Sequence, residues 1–144
     1  MNVSDMIAGR QEVFSITDDA TVYDAARYLR EKEVRAVGVC APQGKLVGVV
    51  SQTDISDKVA AENKCPAWMR VSEIMSTDLV TVPPETPLYE CLQLMDKYRI
   101  FHLLVVDEKT GFQGTISVKD LLKVIATDEK ARADLLEAFM FPQR

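Results

Sequence analysis

Residues 46–55 read Leu46-Val-Gly-Val-Val-Ser51-Gln-Thr-Asp54-Ile55, a short apolar run that changes into Ser-x-x-Asp. The same pattern returns as Phe112-Gln-Gly114-Thr-Ile-Ser117-Val-Lys-Asp120-Leu121. Apolar and β-branched residues followed by apolar residues at helical spacing predict a strand that leads into a helix, with the serine at the junction. The chain therefore contains the same unit twice.

The Ser-x-x-Asp motif at each junction has two interpretations. In the first it is a capping box, in which the serine caps the helix and the aspartate bonds back to the backbone N–H of the serine. In the second it is a ligand site, because a helix start offers unpaired N–H groups and a partial positive charge next to the hydroxyl and the carboxylate. Sugar hydroxyls and phosphate suit such a site. The motif alone leaves both interpretations open for Ser51 with Asp54 and for Ser117 with Asp120.

The two copies align without a gap at a constant offset of 66 residues, which places Tyr23 opposite Tyr89 and Gly48 opposite Gly114. Each copy reads as strand, helix, strand, strand, helix. In the first copy the pattern predicts a helix over residues 21–32 and hairpin strands over residues 34–40 and 45–50. A unit of about 55 residues is marginally stable alone, so the two copies are expected to pack on each other.

The repeat divides the chain into a first unit with its lead-in (1–66), a second unit (67–127) and a C-terminal helix with a tail (128–144). A lead-in segment precedes each copy, residues 1–12 before the first and the stretch around residues 71–75 before the second. Both contain a similar pattern, Val3-Ser-Asp-Met-Ile7 and Val71-Ser-Glu-Ile-Met75, which predicts a short helical turn. Trp68, in the linker between the copies, is expected to pack at their seam. Asp128 is predicted to cap the last helix, whose apolar side is formed by Ala131, Leu135 and Phe139.

Composition narrows the class of protein. The 144 residues are 47% hydrophobic and carry a net charge of −5 with interleaved signs, which argues against a nucleic-acid surface. The apolar runs are too short for a membrane span and the N-terminus lacks signal-peptide features, so a cytoplasmic location is expected. Cys40, Cys65 and Cys91 indicate neither disulfides nor zinc, and Cys40 and Cys91 are predicted core residues. Enzyme activity is not expected, since no nucleophile has a recognisable base and no P-loop is present.

The two Gly-h-h-Ser-x-x-Asp-h signatures, the order of elements and the hairpin Asp107-x-x-x-Gly111 resemble a tandem pair of cystathionine β-synthase (CBS) domains, the Bateman module. The resemblance covers nearly the whole chain. It implies an α+β fold of two βαββα units packed with pseudo-twofold symmetry, and frequent homodimers. It also implies clefts for a regulatory adenosyl ligand such as AMP, ADP, ATP, NAD or S-adenosylmethionine, with no required cofactor.

The resemblance further implies which residues contact the ligand. Asp54 and Asp120 would accept hydrogen bonds from ribose hydroxyls, with Ser51 and Ser117 close to ribose or phosphate. Lys119 precedes Asp120 where many family members have a basic residue, whereas Thr53 holds that place in the first copy. The Asp120 cleft is therefore expected to bind anions better. The residues implied to edge the adenine pocket are Ser15, Ile16, Thr17, Thr81, Val82, Pro83, Ala36, Val37, Gly38, His102, Leu103 and Leu104.

Two residue types near the strand starts stay ambiguous. Arg35 and Arg99 suit either phosphate contacts or a solvated surface. His102, the only histidine, suits packing at the strand edge, a phosphate contact, or a metal or catalytic role.

We expect a stand-alone regulatory protein that binds an adenosyl nucleotide between its two units and signals occupancy to an unidentified partner through its dimer geometry. The alternative is a ligand-free interaction module. In that case the motifs are only helix caps, and Leu135 and Phe139 form an assembly surface.

Overall fold

The computed structural model describes residues 1–140, except for the side chains of Ala138 and Phe139. It has the expected α+β architecture, with two three-stranded sheets and flanking helices. Two 3₁₀ turns, Pro66–Trp68 and Val71–Glu73, lie between the copies. The strands and helices follow in the order α1 (Val3–Ile7), β1 (Ser15–Thr17), α2 (Val22–Lys32), β2 (Ala36–Cys40), β3 (Leu46–Ser51), α3 (Gln52–Ile55, continued by a π-helical segment Ser56–Ala60), β4 (Thr81–Val82), α4 (Leu88–Tyr98), β5 (His102–Asp107), β6 (Gly111–Ser117), α5 (Val118–Thr127) and α6 (Glu129–Met140).

The chain forms two compact units that exchange their lead-in segments. The first unit comprises residues 13–80, and the second comprises residues 1–12 together with the chain from residue 81 onward. In the second unit the Val3 N–H donates to the Thr86 carbonyl at 2.9 Å, and in the first the Val71 N–H donates to the Ala20 carbonyl at 2.8 Å. The boundary predicted between residues 66 and 67 follows the sequence repeat. The compact units are divided differently, because each contains the lead-in that precedes the other copy.

The two sheets repeat the same strand pairing. In each, the first strand runs parallel to the central strand, which runs antiparallel to the third. Ser15, Gly38 and Val49 pair across the first sheet, and Thr81, Leu104 and Thr115 pair across the second. Because these triplets differ by the same 66 residues, the sequence repeat is also a repeat of register.

The helices before the hairpins bury one face each. On α2 the buried positions are Val22, Ala25 and Leu29, and on α4 they are Leu88, Cys91 and Met95. Both helices end in a left-handed residue, Glu33 at φ 55° and Arg99 at φ 53°. A left-handed residue after the last turn lets its N–H bond back to the helix carbonyls and stops the helix. The helix predicted over residues 21–32 is confirmed.

Helix α6 covers the core of its own unit. Asp128 Oδ1 accepts a hydrogen bond from the Ala131 N–H at 2.9 Å, which confirms the predicted cap. Ala131 and Leu135 are only 4% and 5% exposed, since α6 packs against α4 and α5. Leu135 is thus not available for the assembly surface of the alternative hypothesis, and the Phe139 side chain lies outside the described residues.

The expectation that Trp68 packs at a seam is wrong. Its side chain is 86% exposed. The 3₁₀ turn Pro66–Trp68 is tied to α2 through the Met69 carbonyl, which accepts from the Val22 N–H at 2.9 Å. That attachment turns the Met69 side chain toward the core of the first unit and leaves Trp68 outward. Within residues 1–140, no helix combines the length and the apolar character needed to cross a membrane.

The three thiols should differ in reactivity. Cys40 and Cys91 are buried, whereas Cys65 is exposed. Burial raises the pKa of the Cys40 thiol, and burial together with the nearby Glu90 carboxylate raises the pKa of Cys91 to about 11. Because the thiolate is the reactive form, iodoacetamide at mildly alkaline pH should label Cys65 alone in the native protein. Mass spectrometry of tryptic peptides checks this result. Denaturant should expose all three thiols, and native labelling of Cys91 as fast as Cys65 would contradict the described burial.

Candidate functional site

Both Ser-x-x-Asp motifs form complete capping boxes. At the end of β3 the Ser51 N–H donates to Asp54 Oδ2 at 2.9 Å, and the Asp54 N–H donates to Ser51 Oγ at 3.1 Å. At the end of β6 the matching distances for Ser117 and Asp120 are 2.8 and 3.2 Å. The capping interpretation is therefore confirmed for both copies. It does not exclude a ligand, because an ionised carboxylate has about four acceptor positions.

The helix starts are also tied to the neighbouring strands. The Gln52 N–H donates to the Arg35 carbonyl at 2.9 Å, and the Val118 N–H donates to the Phe101 carbonyl at 3.0 Å. The first and third N–H groups of α3 and α5 are thus bonded within the protein. The second N–H group of each helix, that of Thr53 in α3 and Lys119 in α5, is bonded neither to the capping serine nor to the neighbouring strand. The helix starts offer an anion fewer donors than the sequence suggested.

Each capping carboxylate has a cationic neighbour, but the two cations come from different parts of the chain. Lys58 Nζ lies 3.1 Å from Asp54 Oδ1, one turn along the same helical segment. Arg10 Nη2, from the lead-in segment, lies 3.2 Å from Asp120 Oδ2. The Asp54 side chain is 14% exposed and the Asp120 side chain 30%. Asp120 is therefore the more accessible carboxylate.

Arg10 was not among the residues proposed from sequence. Its Nη1 also donates to the Thr115 carbonyl at 2.7 Å. Asp54 and Lys58 are four residues apart, a spacing that predicts an ion pair on a helix from the sequence alone. Arg10 and Asp120 are 110 residues apart, and no local pattern links them.

The strand register brings part of the predicted site together. Residues directly opposite each other in paired strands share a face of the sheet. In the second unit Thr81 pairs with Leu104, and His102 pairs with Ser117. The residues on this face of the second sheet are therefore Thr81, His102, Leu104, Thr115 and Ser117. The corresponding face of the first sheet carries Ser15, Ala36, Gly38, Val49 and Ser51.

Other predicted contacts point away from that face. Val37, Val82 and Leu103 are at most 2% exposed, and Ile16 packs against the core of the first unit. Their side chains alternate with the site residues, so any contact with a ligand would use main-chain atoms. The remaining predicted residues with exposed side chains are Thr17, Arg35, Thr53, Pro83 and Lys119.

Among residues 1–140 there is no cluster of three or more His, Cys, Asp or Glu side chains that could hold a metal ion.

A groove of about 830 Å³ lies in the second unit, where α4 and α6 contribute Leu94, Lys97 and Asp134 to its lining. None of the predicted ligand contacts lines this groove.

Comparison with known proteins gives a consistent family match. The CBS domain family matches the chain twice, over residues 3–61 and 71–127. The CBS domain-containing protein CBSX3, mitochondrial, of Arabidopsis thaliana is 30% identical over 128 residues, which cover 86% of this chain and 62% of that protein. The chain spans about three fifths of the length of the first curated relatives it matches.

Solved structures share the fold. A CBS domain protein from Pyrobaculum aerophilum complexed with AMP has a TM-score of 0.82 at 21% identity, covering 96% of this chain and all of that one (100%). The CBS domain pair of protein MJ0100, in complex with 5′-methylthioadenosine and S-adenosyl-L-methionine, has a TM-score of 0.77 at 24% identity. It covers 87% of this chain and 99% of the solved chain.

Proposed function

The chain belongs to the CBS domain family, and on that premise we propose that it is a regulatory protein that binds an adenosyl nucleotide of the AMP, ADP or ATP class. One observation carries the proposal. The partly exposed Asp120 carboxylate lies in the first turn of α5, directly after β6 and the sheet face that holds Thr81, His102 and Ser117. The ligands of the two solved relatives, AMP and S-adenosylmethionine with 5′-methylthioadenosine, share an adenosyl group, which supports the ligand class.

The acceptor capacity of Asp120 suits a ribose diol. Its Oδ2 accepts from the Ser117 N–H and from Arg10, which accounts for both lone pairs of that oxygen. Oδ1 can then receive the two vicinal hydroxyls of a ribose. In Asp54, Oδ2 accepts from the Ser51 N–H and hydroxyl, while Oδ1 faces Lys58. A ligand at Asp54 competes with Lys58 for Oδ1, so we propose that the Asp120 site binds more tightly.

Signalling would follow from a population shift. A ligand favours whichever arrangement of the protein it binds better, and it shifts the equilibrium by no more than its differential affinity for the two arrangements. We propose that the protein is a homodimer whose geometry reports occupancy to a partner protein.

The second candidate function is a ligand-free interaction module, and the completed capping boxes favour it. Both motifs already satisfy backbone groups without a ligand. Exposed Trp68 (86%) and Phe101 (71%) would then be the starting points for mapping a partner surface.

A thermal-shift panel with AMP, ADP, ATP, NAD and S-adenosylmethionine separates the two functions. A ligand at about 100 times its Kd adds roughly 2.7 kcal/mol to the free energy of unfolding. For a domain of this size, that should raise the Tm by several degrees. Ribose 5-phosphate and inorganic phosphate serve as controls that lack the adenine. A shift with one adenosyl ligand and none with the controls is expected. If no adenosyl compound shifts the Tm, the interaction module becomes the better hypothesis.

A further inference from the structure

Arg10 gives the Asp120 site a property that the Asp54 site does not share. We propose that Arg10 is a specificity-determining residue that makes the Asp120 site selective for anionic adenosyl ligands, those with a phosphate, over neutral or cationic ones. This inference rests on the proposed function, and it concerns the ligand's charge rather than its adenosyl group.

Two hydrogen bonds hold the Arg10 guanidinium in place and leave some of its N–H donors available. One bond joins Nη1 to the Thr115 carbonyl at 2.7 Å, and another joins Nη2 to Asp120 Oδ2 at 3.2 Å. Within residues 1–140 these two bonds engage two of the five N–H donors of the side chain, which is 35% exposed. A guanidinium that keeps several donors and a fixed plane is suited to bind phosphate oxygens in a bidentate manner.

Strand β6 has a glycine, Gly114, where the Arg10 guanidinium lies against it. Gly114 has a φ of +127°, a backbone conformation that a side chain would strain, and a Cβ there would lie 3.4 Å from Arg10 Nη1. The guanidinium can therefore lie against β6, beside the face that carries the proposed ribose site.

A second observation points to a polar ligand at the same place. Thr115 Oγ1 is buried and has no hydrogen-bond partner among the described residues. Buried hydroxyls normally have a partner, since leaving one unpaired costs about 1–3 kcal/mol. Thr115 shares its sheet face with His102 and Ser117, and its carbonyl binds Arg10. A ligand hydroxyl or phosphate oxygen that reached this buried hydroxyl would provide the missing partner.

The first unit has no equivalent arrangement among its described residues. Val49 is the counterpart of Thr115, and its N–H and carbonyl pair with Ser76 at 3.0 and 2.9 Å. Lys58 contacts Asp54 and also donates to the Ile74 carbonyl at 2.8 Å, which ties the ammonium group to the protein. Charge selectivity is therefore assigned to the Asp120 site.

The test compares AMP with adenosine, which differ by the phosphate, in calorimetric titrations of the full chain. Arg10→Gln should weaken AMP binding by about tenfold to a hundredfold, the loss expected for a charge-assisted contact, and change adenosine binding by less than about threefold. Arg10→Lys keeps the charge without the planar fork and should fall in between. Arg30→Gln, on the exposed side of α2, is the control for the same change in net charge.

Several results would overturn the inference. Equal weakening of AMP and adenosine would show that Arg10 acts only by orienting Asp120. Tighter binding of both ligands would show that Arg10 competes with them for the carboxylate. If the wild-type protein binds neither compound, the proposed function itself fails, and Arg10 is only an ion-pair partner of Asp120. Circular dichroism melting of each variant separates loss of binding from loss of folding.

Discussion

Leu121→Ala should lower the free energy of unfolding by about 2–5 kcal/mol, whereas Leu122→Ala should change it by less than about 0.5 kcal/mol. The two leucines are neighbours on α5, so both substitutions change helix propensity in the same way. Leu121 is fully buried (0% exposed) and Leu122 is 57% exposed. The difference between the variants therefore measures the packing of α5 against α4, α6 and β6.

Urea denaturation followed by circular dichroism gives both values, and an unchanged m-value would show that the unfolded states are comparable. Equal effects of the two substitutions would mean that α5 is rotated from the described orientation. Such a rotation would also move the preceding Asp120 out of its cap with Ser117. The leucine pair thus tests the same local geometry on which the proposed site depends.

The parts of the fold that were predictable from sequence are those set by local chemistry. The alternation of apolar residues and the turn at residues 107–111 predicted the second hairpin, where the Asp107 carboxylate accepts N–H bonds from Lys109 and Thr110. The Ser-x-x-Asp spacing allowed both capping boxes as one of its two interpretations. Because the offset of 66 residues is constant, one copy's register determines the other's. The family match over both copies confirms the identification as a CBS pair.

The structure divides the predicted site residues according to which way their side chains point. The resemblance supplied consecutive residues, such as Thr81 with Val82 and His102 with Leu103. In a strand, consecutive side chains face opposite sides, so one member of each pair enters the core. Val82 and Leu103 are accordingly buried. This alternation was visible in the sequence and could have separated the residues that face the proposed site from those that face the core.

Contacts between distant segments could not be predicted from local patterns. The exchange of lead-ins depends on backbone bonds such as Val3 to Thr86, which no side-chain periodicity encodes. The pairing of Arg10 with Asp120 follows from that exchange. Trp68 was expected to pack at the seam between the copies, yet the attachment of Met69 to α2 decides which side chain turns inward. In each case the deciding interaction is made by a residue far away in the sequence.

Asp120→Asn should weaken binding of an adenosyl nucleotide by at least about a hundredfold while leaving the fold nearly unchanged. The amide oxygen of asparagine can still accept from the Ser117 N–H, so the hydrogen bond seen at 2.8 Å can form in the variant. The charge that favours two ribose hydroxyls and Arg10 is lost, and hydrogen bonds to charged groups contribute about 1.5–3 kcal/mol each. Calorimetric titration with AMP measures the affinity, and thermal unfolding without ligand measures the fold.

Asp120→Ala also removes the acceptor of the Ser117 N–H, whereas Ser117 Oγ can still cap the backbone N–H of residue 120. It should therefore abolish the same binding and also cost up to about 1 kcal/mol of stability. The two variants separate the two roles of one carboxylate. If Asp120 is only a cap, alanine lowers the Tm, asparagine does not, and neither changes affinity for AMP. If it also binds ribose, both variants lose affinity, and only alanine loses stability. Asp54→Asn is the matched comparison at the other junction, and its effect on AMP affinity should be smaller because Lys58 already occupies Asp54 Oδ1.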